Sequence, residues 1–74
     1  MKAKEVRVSA RNRLPGTVVR VKLGGVMAQV TIRVGRQLVD AVITRDSAEE
    51  LGLAKGDRVA ALVKSTEVMV AKEL

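Results

Sequence analysis

Apolar and polar residues alternate along most of this 74-residue chain, which is the pattern of β-strands that bury one face. The alternation is longest in residues 26–34, where every second position is apolar: Val26, Ala28, Val30, Ile32 and Val34. Fourteen valines, a residue type enriched in strands, strengthen this reading. We therefore predict an all-β chain.

Turn signals divide the alternation into six predicted strands, at residues 6–11, 17–23, 26–34, 37–44, 58–64 and 67–71. Pro15-Gly16 predicts a turn between the first two strands. Gly24-Gly25 predicts a two-residue hairpin turn, because glycine tolerates the positive φ that such turns require. Gly35-Arg36 and residues 54–57 predict the later turns. In the second strand the residues expected on one side are Val19, Val21 and Leu23.

One short helix interrupts the strands. Ser47 to Glu50 has the Ser-x-x-Glu form of a capping box, and Gly52 stands where a helix C-terminus is expected. Thr44 is an alternative cap, one turn earlier. The order of elements predicts a small five- or six-stranded barrel of the oligonucleotide/oligosaccharide-binding (OB) type. The alternative is a small swapped β-dimer with no closed barrel in a single chain.

The composition excludes several classes of function, because Cys, His, Trp, Tyr and Phe are all absent. The chain cannot build a thiolate or imidazole metal site, a Cys or His catalytic centre, or an aromatic stacking platform. The carboxylates of residues 46–67 lack metal-loop spacing, and no nucleophile is paired with a base. We therefore predict a protein that is not an enzyme and that has no cofactor or resident metal.

Size and the N-terminus lead to two further expectations. A single domain of 74 residues has a marginal core, and without disulfides we expect oligomerisation to supply stability. No apolar stretch follows residues 1–5, and no run approaches the length of a membrane span. Together with the lack of cysteine, this predicts a cytoplasmic protein with no membrane partner.

Positive charge is concentrated in the first half of the chain. Residues 1–36 carry nine Lys and Arg against one acid, net +8, whereas residues 37–74 carry five against seven, net −2; the total is +6. Such a skew suits an anionic partner, either nucleic acid or a small oxyanion. A solvated basic face is the alternative explanation.

Two short polar segments combine a cation with hydroxyl groups: Ser9-Ala10-Arg11-Asn12 and Lys64-Ser65-Thr66. A tetrahedral dianion needs about two compensating charges and a shell of hydrogen-bond donors, and Arg11 and Lys64 can supply the charges. The candidate side-chain donors are Ser9, Thr44, Ser47 and Ser65, with backbone amides at the helix start.

Each of these residues also has a structural explanation. Ser47 or Thr44 can simply cap the helix, Arg11 can be a surface charge, and Lys64 can lie over apolar surface. An OB-type nucleic-acid-binding module is the alternative function. It is the weaker one, because small barrels bind single strands by stacking bases on aromatic side chains, which this chain lacks.

Four motifs in this order and spacing resemble those of one family: Ser9-Ala10-Arg11-Asn12, residues 43–47 (Ile-Thr-Arg-Asp-Ser), residues 50–53 (Glu-Leu-Gly-Leu) and residues 64–69 (Lys-Ser-Thr-Glu-Val-Met). The chain is similar from about Val8 to Ala71 to the molbindins, the single-domain molybdate-binding Mop proteins. The resemblance implies one Mop domain over residues 1–74, with residues 1–7 as an N-terminal extension.

The resemblance also implies a function, an assembly and a set of ligands. It implies an OB-like barrel whose dimers exchange strands, with three dimers forming a hexamer, and molybdate or tungstate bound as an oxyanion between subunits. The implied ligands are Ser9, the Ala10 amide, Arg11, Thr44, Ser47, Lys64 and Ser65. With no DNA-binding or nucleotide-binding segment in the chain, the implied role is molybdate storage and homeostasis, with release to molybdenum cofactor synthesis.

Overall fold

The computed structural model describes residues 8–73, which form an antiparallel sheet of four strands with one short helix. The elements are β1 (Asn12–Leu23), β2 (Met27–Val34), β3 (Gln37–Thr44), α1 (Arg45–Glu50), β4 (Arg58–Val63) and a 3-10 turn at Ser65–Glu67. The strand order is β3-β2-β1-β4. The predicted meander of three consecutive strands and the mostly β composition are thus confirmed.

Strand β1 continues through the predicted turn at Pro15-Gly16, so that prediction was wrong. Residues 12–17 of β1 pair with β4, and residues 17–23 pair with β2. Pro15 pairs with β4 only and has no partner strand on its other side. A proline, which lacks the N–H donor, is tolerated at such a position because fewer ladder hydrogen bonds are lost. A Cβ on Gly16 would collide with the Arg33 carbonyl oxygen and lie 2.8 Å from Ile32 Cγ2. Gly16 therefore serves close strand packing rather than chain reversal.

A β-bulge in β1 changes which valines face the core. The β1–β2 register shifts between Val18 and Arg20, so one extra residue is inserted there. Val18 is only 1% exposed, and Val21 packs against the same core, whereas Val19 does not. The predicted grouping of Val19 with Val21 and Leu23 was wrong at Val19, because strict alternation cannot anticipate an inserted residue.

The apolar core lies on one face of the sheet. Its buried members are Val18, Val30, Ile32 and Ala61, with Leu14, Val21, Val34, Val39, Ile43, Leu53 and Val59 packed around them. The β2 members occupy the alternating positions predicted from the sequence. Strand β3 has the predicted bounds, and Gly35 in the preceding turn has φ 59°. Gly24 and Gly25 lack the positive φ that we expected for them.

Helix α1 begins one turn earlier than the capping-box pattern predicted. Thr44 is the N-cap, and its Oγ1 accepts a hydrogen bond of 3.1 Å from the Ser47 N–H. The alternative cap was therefore correct. Gly52, with φ 61°, ends the helix as predicted. The helix is fixed to the β1–β2 loop by Arg45, whose N–H donates to the Val26 carbonyl at 2.7 Å and whose Nη1 donates to the Gly24 carbonyl at 3.1 Å.

Two predicted strands are absent from this chain as described, and the barrel is open. Residues 8–11 have no strand structure, residues 6–7 lie outside the described part, and residues 68–71 follow the 3-10 turn without regular structure. Strands β3 and β4 are both edges of the sheet. A strand needs a hydrogen-bonding partner, and the β1–β4 ladder stops at the Asn12–Val63 pair. The described residues thus confirm a mostly β chain with one short helix, and closure of the predicted five- or six-stranded barrel is not seen among them.

Candidate functional site

The two polar segments with cations leave the sheet side by side at one end. Asn12 is paired with Val63 at the last position of the β1–β4 ladder, and Asn12 Nδ2 donates to the Val63 carbonyl at 3.1 Å. Arg11 and Lys64 are the next residues outward, immediately beyond the ends of β1 and β4. Neighbouring strands lie about 4.8 Å apart, so this end of the sheet holds both cations.

The donors at this end remain available to a ligand. Ser9, Arg11, Lys64 and Ser65 are exposed, and Ala10 is half-buried. Within residues 8–73, no hydrogen bond or ion pair engages those four side chains. Lys64 directs its carbonyl into the 3-10 turn, where the Glu67 N–H donates to it at 2.9 Å. The turn holds the Lys64 backbone while its ammonium group stays in solvent.

Asn12 is a site-positioning residue that sequence reasoning missed. It was recognised only as part of a motif, yet its amide ties the start of β1 to the end of β4 and so sets the spacing of Arg11 and Lys64. Its side chain acts across 51 positions of sequence. A local pattern contains no signal for such a contact, because the contact depends on the strand register.

The third predicted donor segment, Thr44 to Ser47, lies elsewhere. Thr44 is paired with Met27 at the start of β2, beside the far end of β1. The length of β1, 12 residues, separates this region from Asn12, which is about 36 Å of extended strand. One chain therefore places Arg11 and Lys64 directly beyond the Asn12–Val63 pair, and it leaves Thr44 and Ser47 apart from them.

The hydroxyl groups of Thr44 and Ser47 form an oriented pair. Thr44 Oγ1 donates to Ser47 Oγ at 2.8 Å while accepting from the Ser47 N–H. Because Ser47 Oγ accepts the Thr44 proton, its own O–H remains to donate to a ligand. Arg45 and its ion pair with Glu49, at 3.4 Å, hold the helix that carries this pair.

Three carboxylates of the described chain, those of Asp40, Glu49 and Asp57, have structural partners, and no carboxylate of residues 8–73 belongs to a metal-holding group. Thr31 Oγ1 donates to Asp40 Oδ1 at 2.7 Å, and this bond is the main reason the Asp40 pKa is lowered. Hydrogen bonding from Gln29 lowers the pKa further, burial raises it, and the Arg20 charge has the smallest effect, a lowering. Residues 8–73 contain no group of three His, Cys, Asp or Glu placed to hold a metal ion. In the same part of the chain, no helix has the length and apolar character needed to cross a bilayer.

Comparison with known proteins gives consistent matches over most of the chain. The TOBE domain model matches residues 8–70. Molybdenum-pterin-binding protein 2 of Clostridium pasteurianum is 45% identical over 64 residues, which are 85% of this chain and 94% of that protein. The molybdenum transport protein ModE of Azotobacter vinelandii is 45% identical over 74 residues, but these make up only 27% of its length.

Solved structures agree with the sequence matches. A molybdate-binding protein from Sporomusa ovata superposes with a TM-score of 0.87 at 42% identity, covering 90% of this chain and all of that one. MopII from Clostridium pasteurianum gives a TM-score of 0.83 at 43% identity, with 89% and 100% coverage. The cytoplasmic molybdate-binding protein ModG, with molybdate bound, gives 0.75 at 36% identity, covering 81% of this chain and 43% of ModG.

Proposed function

We propose that this chain binds molybdate or tungstate as an intact oxyanion. It belongs to the TOBE-domain family and, within it, to the molybdenum-pterin- and molybdate-binding Mop proteins. The Mop relatives are binding proteins, and this chain is accordingly a binding protein and not an enzyme. The proposed biological role is cytoplasmic storage and homeostasis of the anion, with release to molybdenum cofactor synthesis.

The observation that carries the proposal is the adjacency of Arg11 and Lys64 beyond the Asn12–Val63 pair. Two permanent positive charges match a tetrahedral dianion, and the hydroxyls of Ser9 and Ser65 with the Ala10 amide supply short hydrogen bonds. Charge-assisted hydrogen bonds are roughly twice as strong as neutral ones, so the two cations dominate affinity. In this site molybdenum is held only through the oxygens of the anion.

The remaining ligands come from a second subunit in this proposal. Thr44 and Ser47 lie one β1 length from Arg11, so a neighbouring chain has to place them beside the cations. The single chain leaves edges at β3 and β4, and an apolar tail whose Met69 and Val70 are 92% and 93% exposed. Exchange of terminal strands between subunits would pair these edges and close an OB-like barrel over one Mop domain of residues 1–74, with residues 1–7 as an extension. Three such dimers would form the hexamer.

Subunit mixing tests whether the site spans two chains. Arg11→Gln removes a cation from one half of the site, and the double change Thr44→Val with Ser47→Ala removes the hydroxyls of the other half. Each variant alone is expected to lose molybdate affinity, by at least about tenfold for Arg11→Gln. Refolding the two variants together in equal amounts restores about a quarter of the sites if a twofold dimer shares them.

Isothermal titration calorimetry with molybdate, tungstate and sulfate provides the measurement. Lys55→Gln, in the exposed turn before β4, is the matched control for loss of one charge and should bind as the unchanged protein does. No recovered binding in the mixture would show that the site does not span subunits. Retained affinity in both Arg11→Gln and Lys64→Gln would refute the ligand assignment itself.

A further inference from the structure

A second pair of arginines lies on the outer face of the sheet, away from both ends of β1. Thr17 is the position where β1 pairs with both neighbours: it is opposite Arg33 on β2 and opposite Arg58 on β4. The next residues, Val18 and Ile32, are a buried pair in the core. Since side chains alternate along a strand, the row Arg58–Thr17–Arg33 projects from the opposite, outer face.

Acidic groups near this row already have other partners. Asp40, one row away, accepts the Thr31 hydroxyl and lies nearer Arg20 in the register. Asp57 Oδ2 accepts the Ala54 N–H at 2.9 Å. Within the described residues, neither arginine of the row forms an ion pair with a carboxylate. Two exposed cations therefore flank one half-buried hydroxyl.

An open cavity of about 340 Å³ adjoins the row, lined by Pro15, Gly16, Thr17, Arg58 and Val59. Backbones two strands apart are separated by about 10 Å, a gap that two arginine side chains can close onto one ligand above Thr17. Planar guanidinium groups bind phosphate oxygens in bidentate fashion. The exposed, apolar Pro15 lies beside the charges on the same outer face and offers a surface for an organic group.

We propose that Arg33, Thr17 and Arg58 form a second anion site, which binds the phosphate group of a phosphate monoester and seats its organic part against Pro15. Two arginine charges match the dianion, and the Thr17 hydroxyl supplies a third donor between them. The site is independent of the molybdate site, because Thr17 is five residues from Asn12 along β1 and is also remote from Thr44 at the other end.

In the test, phenyl phosphate is titrated into protein saturated with molybdate. Binding is monitored by calorimetry and by amide chemical shifts. Inorganic phosphate and phenol separate the contributions of the anion and the organic group. Phenyl phosphate should bind more tightly than inorganic phosphate, phenol should not bind measurably, and affinity should fall from pH 7.5 to pH 5.5 because the second phosphate pKa is about 6. Binding of phenol as strong as that of phenyl phosphate would overturn the proposal.

Matched variants decide the location. Arg33→Gln and Arg58→Gln should each weaken phenyl phosphate binding by at least about tenfold, while Arg36→Gln, which removes one charge from the β2–β3 turn, should change it less than about twofold. Molybdate affinity should be unchanged in all three. An equal loss in Arg36→Gln, or a loss caused by Arg11→Gln, would overturn the proposal.

A conservative variant covers the case in which a glutamine substitution disturbs folding. Arg58→Lys keeps the charge but loses the bidentate fork, so it should retain the thermal unfolding temperature and still weaken phenyl phosphate binding. Unchanged binding in a folded Arg58→Lys protein, together with unchanged binding in Thr17→Val, would contradict the assigned residues.

Discussion

Truncation of Val18 tests the β-bulge that determines which side of β1 faces the core. Val18 is 1% exposed and belongs to the buried cluster with Val30 and Ile32, whereas its neighbour Val19 lies outside that cluster. Strict alternation from Val21 backwards would place Val19 in the core instead. Val18→Ala and Val19→Ala remove the same two methyl groups, so they form a matched pair.

The expected cost follows from the burial of Val18. Removing two fully buried methyl groups costs about 1.6 kcal/mol, at about 0.8 kcal/mol for each group. A residual cavity of about 40 Å³ adds about 1 kcal/mol, at about 24 cal/mol per Å³. We therefore expect Val18→Ala to lower the free energy of unfolding by about 2–3 kcal/mol and the melting temperature by roughly 10–20 °C. For Val19→Ala we expect a loss below about 1 kcal/mol.

Urea unfolding followed by far-ultraviolet circular dichroism is the suitable assay, because the chain has no aromatic residue for fluorescence. All proteins must be compared at one chain concentration, since association couples stability to concentration. A cost for Val19→Ala equal to or above that of Val18→Ala would refute the bulge placement and the register that depends on it.

Three further predictions concern the backbone, the helix cap and pH. Gly16→Ala should cost about 3 kcal/mol or more, because its Cβ would collide with a backbone carbonyl that cannot move aside, while Gly25→Ala, with nothing within 4 Å, should be neutral or slightly stabilising; equal melting temperatures would contradict this. Thr44→Val should cost about 1 kcal/mol in urea unfolding through loss of the N-cap, and Thr66→Val, whose hydroxyl makes no hydrogen bond within residues 8–73, should cost little; a neutral Thr44→Val would exclude a capping role. Folding lowers the pKa of Asp40, so its ionised form stabilises the fold above the ordinary value of 3.8, and this contribution is lost as the pH falls below 3.8 through the lower folded pKa. Asp40→Asn should therefore be less stable than the unchanged protein at pH 7, with the difference shrinking towards pH 3; a difference that is constant over pH 3–7 would argue against this linkage.

The sequence alone determined the elements whose signals are local. Alternation predicted β3 with its observed bounds and the buried positions of β2, and the glycines predicted the turn at Gly35 and the helix end at Gly52. These features depend on a residue's own φ preference or on a two-residue period, which neighbouring residues specify. The charge of the bound partner is likewise a local prediction, since hydroxyl groups beside cations indicate an anion.

The tertiary structure decided the features that depend on distant partners. Pro15-Gly16 has the local pattern of a turn, and only the tertiary structure shows that Gly16 packs against the Arg33 backbone instead. The bulge beside Val18 shifts the β1–β2 register by one inserted residue, which local alternation does not reveal. The two polar segments meet through the pairing of Asn12 with Val63, which are 51 positions apart in sequence. The length of β1 keeps Thr44 away from both segments. Strand register is a property of two segments jointly, so neither segment's sequence contains it alone.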